Sequence, residues 1–248
     1  MMNIAQYLDS TYLKTPEQSG ISDEETLQID KKLAQEAMEN GIFAVMIRPD
    51  YVADIKKYLQ EKNSNVVVGT VIGFHEGTYS IAEKLAEASK AIEDGADELD
   101  FVINYNAYLK GELALVKDEF VQCTKLALQH HKVVKWIIEI AALTDAQIAD
   151  ITKNISNWAL ENFSENDLPN IFVKSSTGFY QTEGGKPNGA TFEGIQIMLD
   201  NAGKLPVKAA GGVRTPEDAE KMISMGVKRI GTSSALGLIK NETSSEGY

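Results

Sequence analysis

Pro206-Val207-Lys208-Ala209-Ala210-Gly211-Gly212-Val213-Arg214-Thr215-Pro216-Glu217-Asp218 holds a strand, a glycine loop and a helix start in one short stretch. Pro206 to Ala210 is a small apolar run interrupted only by Lys208, and it reads as a strand. Thr215-Pro216-Glu217-Asp218 reads as a helix opening, with proline at the first helical position. That helix closes at Gly226, and Lys228 to Gly231 begins another strand. Strand, loop, helix and strand in this order form a βα unit.

The same alternation extends outward along the chain. Strands are expected at Ile42 to Ile47, Val66 to Ile72, Glu98 to Ile103, Val133 to Ile140 and Asn170 to Lys174, with a weaker one at Tyr7 to Leu13. Most are nearly continuous apolar runs, as parallel strands covered on both faces require. Amphipathic helices lie between them: from the Ser22-Asp23-Glu24-Glu25 capping box to Gly41, Tyr79 to Asp94, Glu112 to His131, Thr144 to Phe163, and Thr191 to Ala202. Eight units in 248 residues is about 31 residues each, the size of a βα repeat. The fold class is therefore α/β, a (β/α)8 barrel, read as one domain over residues 1–248. A doubly wound open sheet competes, but the glycine-rich loop it places after its first strand is missing.

Composition narrows the function. With 43% hydrophobic residues the chain can fill a large core, and its net charge of -12 repels nucleic acid and anionic membranes. An anionic substrate must then be held by a local site. The single cysteine, Cys123, allows no internal disulfide and fits a reducing cytoplasm. No signal peptide is expected from Met1 to Tyr7, and no apolar run is long enough to span a bilayer.

In a barrel of this kind the reactive groups stand at the C-terminal ends of the strands. Two lysines, Lys174 and Lys208, lie in buried-type strands that are neighbours in the sheet. Two ammonium groups in one low-dielectric cavity repel, so one of them should titrate low. An unperturbed lysine of pKa ~10.4 is neutral about once in 2,500 at pH 7, and a fall of about 3 units makes it a usable nucleophile. The plain alternative is that one lysine reaches solvent while the other pairs with a carboxylate. Asp100 is the carboxylate placed to hold Lys208 and relay a proton, or merely to cap a loop. Asp97 and Glu98 are expected at a turn and on the surface. Gly211-Gly212-Val213-Arg214 and Gly231-Thr232-Ser233-Ser234 follow strands seven and eight, where barrels of this kind bind phosphate. His130 and His131 adjoin at a helix end and His75 stands alone, so no metal ligand set is expected.

Several stretches together resemble the deoxyribose-phosphate aldolase family over essentially the whole chain. They include Leu8 to Lys14, Thr70 to Phe74, Ala96 to Asp100, Ile137 to Glu139, Val173-Lys174-Ser175-Ser176-Thr177-Gly178-Phe179, Val207 to Thr215 and Arg229 to Ser234. The resemblance implies reversible cleavage of a phosphorylated deoxy sugar to acetaldehyde and glyceraldehyde 3-phosphate, with no cofactor and no metal. It implies Lys174 as the Schiff-base lysine, Lys208 as the lysine that lowers its pKa, and Asp100 as the relay acid. It implies Gly178, Gly211, Gly212, Val213, Arg214, Gly231, Ser233 and Ser234 as phosphate-loop residues, with Thr177 and Thr11 also at the substrate.

The chain departs from the resembled pattern at Ser10, His75, Met46 and Ile140-Ala141, and its loop from Tyr180 to Asn188 is several residues longer than usual. Another class I aldolase with a different acceptor aldehyde, or a non-catalytic phosphometabolite-binding barrel, are the alternative readings. Residues 241–248 form a polar tail ending in Tyr248. Some family members carry such a tail into the site to assist proton transfer, so Tyr248 joins the catalytic candidates. A small phosphorylated sugar and acetaldehyde are the expected partners, with a homodimer left open as the assembly.

Overall fold

The computed structural model describes residues 3–240. Eight parallel strands close into a barrel in chain order: β1 (Leu8–Thr11), β2 (Ala44–Ile47), β3 (Val67–Ile72), β4 (Glu98–Val102), β5 (Val133–Ile137), β6 (Ile171–Lys174), β7 (Val207–Ala210) and β8 (Arg229–Thr232). β8 pairs back onto β1, Leu8 opposite Ile230 and Ser10 opposite Thr232. Closure leaves no free sheet edge, which settles the barrel over the open sheet.

The helices start where their caps predict. Ser22 Oγ accepts from the Glu25 amide, while the Glu25 carboxylate accepts from the Ser22 amide. The same reciprocal box opens the helices Ile81–Glu93 at Ser80 and Asp145–Asn162 at Thr144. The helix Val52–Glu61 is not among the expected ones, although Val52, Ile55 and Leu59 are spaced to bury one face. Among the described residues no helix is long and apolar enough to cross a membrane.

Strand alternation decides which side chains enter the barrel. In β4, Phe101 turns outward and stacks on Trp136 of β5 at 5.1 Å between ring centroids. Trp136 in turn meets Phe120 of the helix Leu113–Gln129 and donates its indole N–H to Thr124 Oγ1 at 2.9 Å. The apolar layer thus lies between sheet and helices. Glu98, Asp100 and Lys135, on the opposite parity, are left facing the interior. Two strand glycines make room there: a Cβ at Gly69 would lie 2.3 Å from Met46 Sδ, and one at Gly231 would lie 3.2 Å from Lys208 Cε.

Cys123 belongs to the core. Its helix turns it inward, with no exposure, on the same stripe as Val116, Phe120 and Ala127. That stripe at three- and four-residue spacing is the helix's packing face, which a sequence with apolar residues on several faces conceals.

Candidate active site

The register of the middle strands sets four ionisable side chains side by side, Asp100 opposite Lys135 and Lys174 opposite Lys208. Asp100 is fully buried and accepts from three lysines. Its Oδ2 takes Lys174 Nζ at 2.8 Å and Lys208 Nζ at 2.9 Å, and its Oδ1 takes Lys135 Nζ at 2.6 Å. Lys208 Nζ also lies 2.5 Å from Asp9 Oδ2. Arg229 ties this cluster together, donating to Asp9 through Nε at 2.7 Å and to both Glu98 oxygens at 3.0 Å. Lys135 pairs with Glu98 at 2.6 Å. Glu98, expected at the surface, is therefore a buried member of the network. Its strand parity, which matches that of Asp100, turns it inward.

The charges set the lysines of this cluster apart. Asp9, Glu98 and Asp100 face Lys135, Lys174, Lys208 and Arg229, so this ion-paired cluster of described residues holds one more basic group than acidic groups. Burying an uncompensated ammonium is costly, and the surplus makes one amine easier to deprotonate. Lys174 is the group that gives way. Burial brings its pKa down to about 8, opposed by Asp100 and assisted by Lys208 and Lys135. The neighbouring Lys135 moves upward, because Asp100, Glu98 and Asp9 together overcome its burial. Burial also disfavours charge on Asp100, but Lys135, Lys174 and Lys208 hold its carboxyl well below the usual carboxylate range.

Lys174 ends β6 and, of the three lysines, is the one that lines a cavity at the C-terminal mouth of the barrel. Thr11, Thr177, Gly178, Gly211, Gly212, Val213, Arg214, Gly231, Ser233 and Ser234 line the same cavity, so the residues anticipated at the strand ends converge. Gly211 and Gly212 both take positive φ, 75° and 77°, a double left-handed turn that side-chain-bearing residues resist. Asp100 and Lys208 do not reach this lining. They stand behind Lys174 and act on it through charge. Tyr248 and the rest of 241–248 lie outside the described residues.

A family model, that of the DeoC/LacD family aldolases, matches residues 6–240. The chain belongs to the DeoC/LacD aldolase family. Within this family it is 38% identical to the deoxyribose-phosphate aldolase of Caldicellulosiruptor saccharolyticus over 241 residues, covering 96% of this chain and 98% of the relative. It is 39% identical to that of Thermococcus gammatolerans over 246 residues, with 99% of both chains covered. Among solved structures, the tetrameric deoxyribose phosphate aldolase of Aeropyrum pernix superposes with a TM-score of 0.76 at 28% identity, covering 96% of this chain and 89% of that one.

For a DeoC/LacD aldolase the most informative residues are those that the sequence reading left out. Lys135 carries the same signal as Lys174 and Lys208, a lysine within an apolar strand, yet only the pairing in β4 and β5 gives it a partner. Glu139 follows β5 with φ 57° and is 1% exposed. Its Oε2 accepts from the Thr177 hydroxyl and from the Thr177 amide at 3.2 Å, and burial pushes its carboxyl up to about 7. Asn188 and Thr232 also line the cavity. His75 stacks on Phe179 at 5.7 Å, and Phe74 meets the same ring edge-on at 5.1 Å, placing an aromatic cluster next to the loop that carries Gly178.

Proposed function

We propose that this chain is a class I aldolase that reversibly cleaves 2-deoxy-D-ribose 5-phosphate to acetaldehyde and D-glyceraldehyde 3-phosphate, with Lys174 as the covalent amine. One observation carries the reading: a buried strand-end lysine, its pKa drawn down to about 8, opens into a cavity walled by glycine and serine loops. The names of the full-length relatives point the same way.

In this reading neutral Lys174 adds to the C1 carbonyl and, with loss of water, forms an iminium ion. Deprotonation of the C3 hydroxyl then breaks the C2–C3 bond. The bonding pair moves into the iminium, which becomes an enamine, and glyceraldehyde 3-phosphate leaves. Protonation at C2 and hydrolysis release acetaldehyde and restore the amine. The iminium is itself the electron sink, so the chemistry asks for no added cofactor. Lys208 stands beside the amine, and Asp100, bound to both lysines through one oxygen, is the carboxylate through which a proton can pass between them. Gly211, Gly212, Val213, Gly231, Ser233 and Ser234 take the phosphate, with Arg214 at the rim and Thr11 and Thr177 beside the sugar. Tyr248 is carried into this scheme as a proton donor to the enamine carbon.

We read the chain as one cytoplasmic barrel domain over 1–248, acting on small molecules, and as a homodimer. Tyr79, Leu109, Leu113 and Leu115, each more than 40% exposed, supply apolar surface for such a contact. Borohydride reduction in the presence of acetaldehyde tests the chemistry: one ethyl group should be fixed on Lys174. An adduct mapped to Lys135 or Lys208, or the absence of an adduct, would overturn the assignment.

A further inference from the structure

The loop after β6 leaves the barrel at Gly178 and returns beside β7, and its return is tightly fixed. Asn188 Nδ2 donates to the Gly178 carbonyl at 2.9 Å, joining the two ends of the loop. The next residue, Gly189, lies so near β7's glycine turn that a Cβ there would fall 2.5 Å from the Gly211 carbonyl carbon. The Ala190 amide then donates to the carbonyls of both Ala210 and Gly211 at 3.0 Å. Asn188 is thereby held between the loops after β6 and β7, half-buried, and it lines the same cavity as Gly211, Gly212 and Ser234.

A carboxamide carries two N–H donors and a carbonyl but no net charge. One N–H of Asn188 goes to Gly178, which orients the group and leaves it a second N–H donor, on a wall that also holds Lys174, Arg214, glycines and hydroxyl residues. We propose that Asn188 is a specificity-determining residue that gives its carboxamide to the phosphorylated end of the substrate. The inference rests on the reading that this cavity takes the sugar phosphate.

The test compares 2-deoxyribose 5-phosphate with unphosphorylated 2-deoxyribose in the parent, Asn188→Asp and Asn188→Gly. Asn188→Asp puts a carboxylate on the wall, and like charges placed together are strongly unfavourable in a partly desolvated site. Its kcat/KM for the phosphorylated sugar should fall, through KM, more than about tenfold further than for the free sugar. Asn188→Gly removes the donor without adding charge, and its differential loss should be smaller, roughly fivefold. Both variants should still trap acetaldehyde on Lys174. Equal losses for the two sugars in both variants would reduce Asn188 to a loop anchor and overturn the proposal. A parent with no preference for the phosphorylated sugar would instead overturn the cavity assignment beneath it, and failure of trapping in the parent would overturn the aldolase reading.

Discussion

Replacing Lys208 by methionine removes a charge while keeping most of the side-chain volume, and the structure sets the size of the effect. Lys174 Nζ and Lys208 Nζ are bound to the same Asp100 oxygen at 2.8 and 2.9 Å, which places them no more than about 6 Å apart. At an effective dielectric of ~20, two unit charges at that distance repel by about 2.8 kcal/mol, roughly two pKa units. The sign is set by the amine's chemistry. Without Lys208 the protonated form of Lys174 is relieved of repulsion and has Asp100 Oδ2 to itself, so its pKa rises. Starting from about 8, it should approach ~10, and the neutral fraction at pH 7 should drop from about one in ten to about one in a thousand. The acid limb of the kcat/KM profile, which reports the free enzyme, should move up by more than one pH unit. The pH dependence of acetaldehyde trapping by borohydride should move with it. Far-UV circular dichroism verifies that the variant is folded, since Asp9 and Asp100 lose a buried partner. A folded variant whose acid limb stays within about 0.3 units of the parent's would show that burial alone sets the amine's pKa.

Two further predictions concern groups away from the chemistry. Asp30 is 1% exposed, neither carboxyl oxygen has a hydrogen-bond partner among the described residues, and burial pushes its pKa up to about 8. Between the unfolded value near ~3.9 and about 8 the folded chain binds a proton that the unfolded chain has released, so stability falls as pH rises through that window. Asn, which cannot ionise, should make Asp30→Asn gain ~2 kcal/mol or more over the parent at pH 8 relative to pH 4 in urea unfolding; a difference independent of pH would contradict this. Cys123 is fully buried and its thiol is pushed up to about 12 by burial first, with Glu119 adding to it. A thiol reagent should therefore label it only on unfolding, and incubation with concentrated acetaldehyde should leave activity without a Cys123 adduct. Rapid labelling of the folded chain would refute the burial argument.

The sequence by itself determined the repeat, the positions of the strands and the residue types at the strand ends. Capping boxes such as Ser22–Glu25, glycine stops such as Gly41 and short β-branched runs act within a few residues of one another, so their meaning survives without any tertiary context. Lys174, Lys208 and the Gly211-Gly212 turn could be read for the same reason: a lysine inside an apolar strand and paired glycines after a strand are local anomalies. Tertiary structure decided how these anomalies divide the work. Whether Glu98 faces water or Arg229, and whether Cys123 faces solvent or Phe120's stripe, depends on strand parity and helix rotation relative to partners far along the chain. Lys174 becomes a low-pKa amine because closure of the barrel buries it, while Asp9, Glu98 and Arg229 arrive from other strands to pair with its neighbours. Asn188 enters the cavity wall because a loop folds back by ten residues onto Gly178. Coulomb interactions and close packing depend on distance in space, and closure of the barrel brings β1 and β8 together from opposite ends of the chain.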